Sequence, residues 1–288
     1  MMTKFHKKKL LSGWLAVCLL AASSCNDHLQ DEPSTAINTP LIISAEIDNG
    51  QTGGAGTRVA ADNSYDLSSF RTGDKMNVIC SRAGTRLTSA GYSLGADGSW
   101  QVAEGTGLGF LPAITCRAEF PVDYDVVMSE QSTAAAFLKS NLLRTPEVTV
   151  TGAEVKFTGA YAFEHQHAKL TLNFEGKNVL PEFKQITLEG TGICSGNNTE
   201  DRITMFRPEV DKHSWCAVLN ASWSGSSETK VTVVDENNII YRSEVIVQRV
   251  ERNKHYIFTI SLKNDILYPV GQEIEPWKAI PRYTGGFD

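Results

Sequence analysis

The sequence predicts an all-β protein built from two tandem antiparallel β-sandwich domains. Three observations carry that reading. Short runs of alternating apolar and polar residues recur along the chain. Lys169-Leu170-Thr171-Leu172-Asn173-Phe174 is the clearest, with Leu170, Leu172 and Phe174 on one face of a strand. Turn chemistry separates many of the runs: Gly73-Asp74, Asp97-Gly98, Gly196-Asn197, Gly225-Ser226 and Glu236-Asn237. Outside the apolar start of the chain only one stretch has helical spacing, too little for alternating βα units. A length of 288 residues suggests two domains, at roughly 150 residues each.

The chain opens with a cationic start, His6-Lys7-Lys8-Lys9. Residues 10–22 are apolar except for Ser12 and Gly13, and Ala21-Ala22-Ser23-Ser24-Cys25 sets small residues before a thiol. That is the layout of an export signal. The run is short of the ~20 apolar residues a spanning helix needs. The segment ending at Cys25 resembles a lipobox, in which the thiol is acylated and becomes the new N-terminus; Ala22 stands where Leu is usual. An ordinary signal peptide with an incidental Cys25 is the plainer alternative. Residues 1–24 are therefore read as a lipoprotein signal peptide. Residues 25–40, with Asp27, Asp31, Glu32 and Pro33, are read as a flexible tether.

The first domain is placed at 41–158. Its first strand is 41–47, with Leu41, Ile43, Ala45 and Ile47 on one face. Residues 48–57 hold Gly50, Gly53, Gly54 and Gly56 and cannot keep a regular element. The loop ends at Thr57-Arg58. Further strands are expected at 76–81, 99–103, 113–120, 147–151 and 154–157. One helix is expected over 129–142, with Ser129 as cap and Ala134, Phe137, Leu138 and Leu142 as its apolar face. The second domain is placed at 159–263, with strands at 161–163, 169–174, 184–188, 203–206, 215–219, 230–234, 239–247 and 255–262. Residues 264–288 are read as a C-terminal tail.

Lys and Arg total 27 against 33 Asp and Glu. Lys4, Lys7, Lys8 and Lys9 lie in the signal, so the remainder is more acidic than the whole-chain net charge of −6. Nucleic acid and anionic membrane surfaces are drawn to basic patches, so neither is an expected partner. Once Cys18 and Cys25 are set aside, Cys80, Cys116, Cys194 and Cys216 remain. Export permits disulfides, and one bridge per domain is the simplest pairing. All three connectivities stay open, as do buried thiols.

Several pieces then occur in order. Phe70-Arg71-Thr72-Gly73-Asp74 leads into the strand Met76-Asn77-Val78-Ile79. A hairpin follows at Asp97-Gly98-Ser99-Trp100, and an edge at Ala118-Glu119-Phe120-Pro121. Phe163-Glu164-His165-Gln166-His167-Ala168-Lys169-Leu170 opens the second domain, and Trp277 stands in a glycine-bearing tail. With the lipobox, this order is similar to the Bacteroidetes fimbrillin family of fimbrial subunits, anchors, tips and related lipoproteins, over nearly all of the mature chain. The family's usual Trp before Gly-Asp is Phe70 here, and the tail after Trp277 is short.

The resemblance implies two transthyretin-like sandwiches and no catalysis. It implies export as an outer-membrane lipoprotein and cleavage after a basic residue, which removes the lipid and the first strand. A strand from another pilus subunit then fills the groove, by β-augmentation. Arg58 is the implied processing site: no other Lys or Arg lies between Lys9 and Arg71. An ordinary exposed arginine is the alternative. Ile266-Leu267-Tyr268-Pro269-Val270 and residues 274–277 are the candidate donor, with Pro269 and Pro276 confined to edge or non-bonded positions.

Other chemistry is weakly supported. His165 and His167 share a strand face but lack an evident third ligand, so no metal or cofactor is expected. Cys216 with His213 matches no nucleophile signature, and Asp123 and Asp125 are in a loop where solvated acids are the default. No Gly-x-Ser-x-Gly, Walker or His-Glu-x-x-His motif occurs. Trp100 and Trp215 read as strand cores, whereas Trp223, beside Ser222, Ser224 and Gly225, is the candidate ligand contact. The expected function is a pilus subunit or fimbria-associated adhesin at the cell surface. Its partners would be other subunits and a host or bacterial receptor or glycan. A permanently anchored lipoprotein that binds glycan through Trp223 is the alternative, and an exported hydrolase a weaker one.

Overall fold

The computed structural model describes residues 39–48, 67, 69–176, 180–208, 213–225, 227–247, 249–264 and 266–277. The first half contributes β1 (Ile42–Ala45), β2 (Lys75–Arg82), β3 (Thr85–Leu94), β4 (Trp100–Val102), β5 (Thr115–Phe120), α1 (Ala134–Ser140), β6 (Leu143–Arg144), β7 (Val148–Thr149) and β8 (Glu154–Phe157). The second contributes β9 (Glu164–His165), β10 (Ala168–Gly176), β11 (Phe183–Thr191), β12 (Glu200–Thr204), β13 (Ser214–Leu219), β14 (Ser227–Asp235), β15 (Ile240–Val247), β16 (Lys254–Lys263) and β17 (Ile266–Pro276). The protein is all-β, as the alternation predicts, and α1 is the one α-helix among the described residues. Residues 159–161 form a 3-10 turn where a strand was expected at 161–163.

The first sandwich sets a broad sheet, in the order β4-β3-β2-β5-β6-β9, against a two-stranded layer of β1 and β8. β7 pairs with β5 beside β6. The β2–β3 hairpin turns on Ala83 and Gly84, both at positive φ (50° and 78°), as a two-residue hairpin requires. β3 escapes the sequence reading for a physical reason. Tyr92 is its one fully buried side chain, so the strand shows no apolar alternation.

Phe70 organises this core. Its ring packs edge-on against Trp100, Phe120 and Phe163, with centroids 5.1, 5.4 and 5.2 Å away. The Gly73-Asp74 turn holds Phe70 in place: the Arg71 N–H donates to Asp74 Oδ2 at 2.8 Å, and the Leu94 N–H donates to the Asp74 carbonyl at 2.9 Å. Burial raises the Asp74 pKa above the usual carboxylate value.

The second sandwich stacks two four-stranded sheets, β13-β10-β16-β17 and β12-β11-β14-β15. Leu170, Leu172 and Phe174 face its core, opposite Ile186, Leu188, Val231 and Val233. β10 and β16 run parallel in the middle of the first of these sheets.

The segment 127–137, from the first half of the chain, supplies two buried residues to this second core. Val127 and Phe137 are buried in it. The boundary expected near Thr158 therefore falls between β8 and the 3-10 turn but does not divide the cores. The helix also starts later than expected. Thr133 caps it, accepting from the Ala136 N–H at 3.2 Å. Ser129 is not the cap, because its carbonyl accepts from the Thr204 N–H (2.8 Å) while the Gln131 N–H donates to the Thr204 carbonyl (3.0 Å). The Gln131 carboxamide then reaches the other sheet. Its Oε1 accepts from the Val218 N–H at 2.8 Å and its Nε2 donates to the Val218 carbonyl at 3.0 Å. A side chain thus pairs like a strand with the edge of β13 and ties it to the edge of β12.

Residues 266–276 are not a loose tail. They form β17, antiparallel to β16 along its whole length, with a register shift between Thr259 and Ile260. Pro269 and Pro276 are tolerated because β17 is the outer strand of its sheet.

Gln131 is fully buried, so truncating it strands a donor and an acceptor of Val218. Gln131→Ala is expected to lower stability by about 2–4 kcal/mol, read as a shift in the urea midpoint at constant m-value.

Candidate functional site

The candidate site is the slot that holds β1. β1 pairs in parallel with β8, in the register Ile42↔Glu154, Ile43↔Val155, Ser44↔Lys156 and Ala45↔Phe157. Backbone bonds extend the match at both ends. The Ile42 N–H donates to Ala153 O at 2.8 Å, Glu46 N–H to Phe157 O at 3.0 Å and Asp48 N–H to Phe163 O at 2.9 Å. Phe163 N–H returns a bond to Glu46 O at 2.9 Å, and the Glu46 carboxylate accepts from the Gly159 N–H at 2.6 Å. At the entrance the Leu41 N–H donates to Leu108 O (2.8 Å), and the Leu108 N–H donates to the buried Tyr92 hydroxyl (3.1 Å).

Alternation decides which side chains enter. Leu41, Ile43 and Ile47 are 4–5 % exposed, in one core with Val155, Phe157 and Phe163, whereas Ile42 faces out at 65 %. Ala45, the fourth residue of the expected face, is half-buried against the same core. Burying three such side chains contributes about 5–9 kcal/mol. β1 is the one strand paired with β8 among the described residues. Without it, the buried face of Val155 and Phe157 and the polar backbone edge of β8 would be open to another strand.

Cys25 and Arg58 lie outside the described residues. Cys80 and Cys116 are directly opposed on β2 and β5 and form a disulfide, with Cα atoms 4.3 Å apart. The simplest pairing would have bridged Cys194 to Cys216, and neither is disulfide-bonded. Cys216 is buried on β13, beside the Thr171 hydroxyl at 3.5 Å. Cys194 sits in the loop after β11 and donates to the Val127 carbonyl at 2.7 Å. Burial, aided by Asp201, pushes the Cys194 pKa up to about 11, which keeps it a protonated thiol and a poor nucleophile.

Trp223 is half-buried rather than displayed. Gly192, at φ +71°, and Gly225 pack against the indole so closely that a Cβ on either would overlap it. The ring fills its own loop instead of offering a face to a sugar. Asp123 pairs with Lys139 at 3.1 Å on the surface. No group of three or more metal-ligating side chains occurs among the described residues.

The two histidines serve the joint between the sandwiches. His165 lies on β9, the last strand of the first sheet, and three residues later the chain enters β10. His165 Nδ1 bonds Asn141 Oδ1 at 2.8 Å, and Trp277 stacks on its ring with centroids 3.8 Å apart and planes 7° from parallel. His167 Nε2 bonds the Tyr124 hydroxyl at 2.7 Å. Sequence reasoning missed Asn141, Tyr124 and the Trp277 stack, because nothing in local spacing links residues so far apart. Burial, and then the Arg144 charge, lower the His167 pKa from 6.5 to about 4.

Two outcomes follow. Ile43→Ala leaves a void under β1 and is expected to reduce stability by about 2–4 kcal/mol in urea titrations. His167 is neutral in the fold while the unfolded chain takes up its proton near pH 6.5. The contribution of His167 to stability is therefore full above pH 6.5 and is lost as pH drops toward 4, by about 3 kcal/mol in total. Urea midpoints at pH 7 and pH 4.5 should differ less in His167→Gln than in the parent.

The sequence matches no protein-family model and no curated protein. The fold does have counterparts among solved structures. A proposed cell-adhesion protein of Bacteroides uniformis superposes with a TM-score of 0.60 at 15% identity, over 83% of this chain and 99% of that one. A proposed cell-adhesion protein of Bacteroides ovatus gives 0.59 at 16% identity, over 83% and 97%. The tip fimbrial protein Mfa3 of Porphyromonas gingivalis aligns more loosely, at 10% identity over 83% and 100% of the two chains, with a TM-score of 0.43. The chain thus has the fold of these two Bacteroides proteins.

Proposed function

We propose that this chain is a fimbrillin-like pilus subunit or fimbria-associated adhesin of the cell surface. In this reading it is exported as a lipoprotein acylated on Cys25, cleaved after Arg58 and assembled by strand exchange. The observation that carries the proposal is the seating of β1. The first strand of the domain completes the core by pairing with β8, with one apolar face in and one face out. Cleavage after Arg58 cuts on the C-terminal side of β1, so the strand and the acylated Cys25 would leave together.

β17 supports the other half of the scheme. On this outer strand Ile266, Tyr268 and Val270 stand at every second position and remain about half exposed. That period suits pockets along a neighbour's groove. The alternative reading, an anchored glycan-binding lipoprotein, loses its candidate contact because Trp223 packs against Gly192 and Gly225.

The test is the N-terminus of the protein isolated from the cell surface, read by mass spectrometry. Processing gives a chain starting at Val59, and Arg58→Ala is expected to abolish that product and leave subunits unassembled. A surface chain that keeps acylated Cys25 and still functions there would overturn the exchange scheme.

A further inference from the structure

We infer that the end of β17 is a clamp on the joint between the two sandwiches. The joint is short: β9 ends at His165 in the first sheet and β10 starts at Ala168 in the second. Such a peptide would swing unless something gripped it; two contacts from the C-terminal half do, and a third ties those two together. The Asn253 N–H donates to the His167 carbonyl at 2.9 Å. The Trp277 N–H donates to the Asn253 carbonyl at 2.8 Å. The Trp277 indole lies flat on the His165 imidazole, and the residue is 2 % exposed.

The first half grips the same peptide from its own elements. The Gln166 N–H donates to the Leu142 carbonyl at 2.8 Å, Asn141 holds His165 and Tyr124 holds His167. Trp277 follows directly on β17, the outer strand of its sheet. β17 is further pinned by His255 on β16, whose Nδ1 meets Glu275 Oε1 at 2.9 Å while Nε2 meets the Thr171 hydroxyl at 2.8 Å. The last three residues of the strand region, Glu275 to Trp277, therefore link the state of β17 to the orientation of the sandwiches. When β17 is docked the joint is held, and when its end lifts the joint is released. The clamp operates whether or not the chain assembles into a fibre.

The test is amide hydrogen exchange on the full chain, with a distance measurement between the halves. In Trp277→Ala, the Gln166 and Asn253 amides are expected to exchange at least tenfold faster, while amides of β2 and β11 keep parent rates. His165→Ala should reproduce this, and His165→Phe, which keeps a flat ring for the stack, should not. Spin labels at Thr88→Cys and Asn237→Cys, in a Cys194→Ser background, should give one narrow distance in the parent and a distribution at least twice as broad in either alanine variant. Unchanged exchange at the joint, a distribution that stays narrow, or uniformly faster exchange across both sandwiches would overturn the clamp.

Discussion

The parallel pairing of β1 with β8 is the constraint on which the first sandwich rests. Parallel neighbours cannot be joined by a tight hairpin, so the strand that closes this core must arrive from far along the chain. Ile42 meets Glu154 across more than a hundred residues. The apolar face of the broad sheet shares its core with the thin layer of β1 and β8. Everything near the slot is arranged to receive a strand. Tyr92 holds the Leu108 N–H, the Leu108 carbonyl takes the first amide of the incoming segment, and Phe163 exchanges bonds with Glu46 and Asp48. None of these contacts requires a particular side chain on β1 beyond an apolar residue at every second place. Glu46 adds one side-chain bond, its carboxylate accepting from the Gly159 N–H; the rest of the segment is held by backbone and by period.

The same core explains why scattered motifs could be read at all. Phe70, Trp100, Phe120 and Phe163 come from four separate pieces of sequence, each weak by itself. In the fold they meet, three rings around Phe70 within 5.4 Å. The Gly-Asp turn matters because it fixes the entry of Phe70. The Asp97-Gly98 turn does the same for Trp100, with Gly98 at φ +79° and the Asp97 carboxylate accepting from the Ser99 N–H. Alternation in 169–174 was equally legible, since Leu170, Leu172 and Phe174 are buried. In each case local chemistry and tertiary packing agree, and where they agree a sequence is readable.

The rest was hidden wherever tertiary contact replaced local pattern. β3 is a strand because β2 and β4 flank it, not because its own residues alternate. The helix lost its first turn to the Ser129 and Gln131 bonds with Thr204, partners more than seventy residues away. β17 carries two prolines and a glycine, which argue locally for a tail, yet the edge of β16 accepts it. Cysteine count suggested a bridge in each half, but Cys194 is committed to Val127 and Cys216 to the interior of β13. Trp223 looked exposed among Ser and Gly. Those glycines are there because the indole needs the space a Cβ would take.

Strand exchange has an energetic consequence under the proposed scheme. About 5–9 kcal/mol of apolar burial holds β1, an upper estimate because the free strand would hide some of that surface itself. Cutting the chain beyond Ile47 changes none of those contacts. It changes only the tether, turning an intramolecular fit into a bimolecular one. The cut alone would therefore give the strand no new reason to leave. An invading strand that pairs with β8 as the old one peels away restores each lost bond as it goes, so the exchange is close to neutral along its length. Direction must then come from what the two strands are attached to. The leaving strand would remain with a lipid in the membrane, at high dilution relative to the slot, whereas the entering strand would belong to a neighbour held beside it. Local concentration, rather than a tighter fit, would then drive replacement of β1.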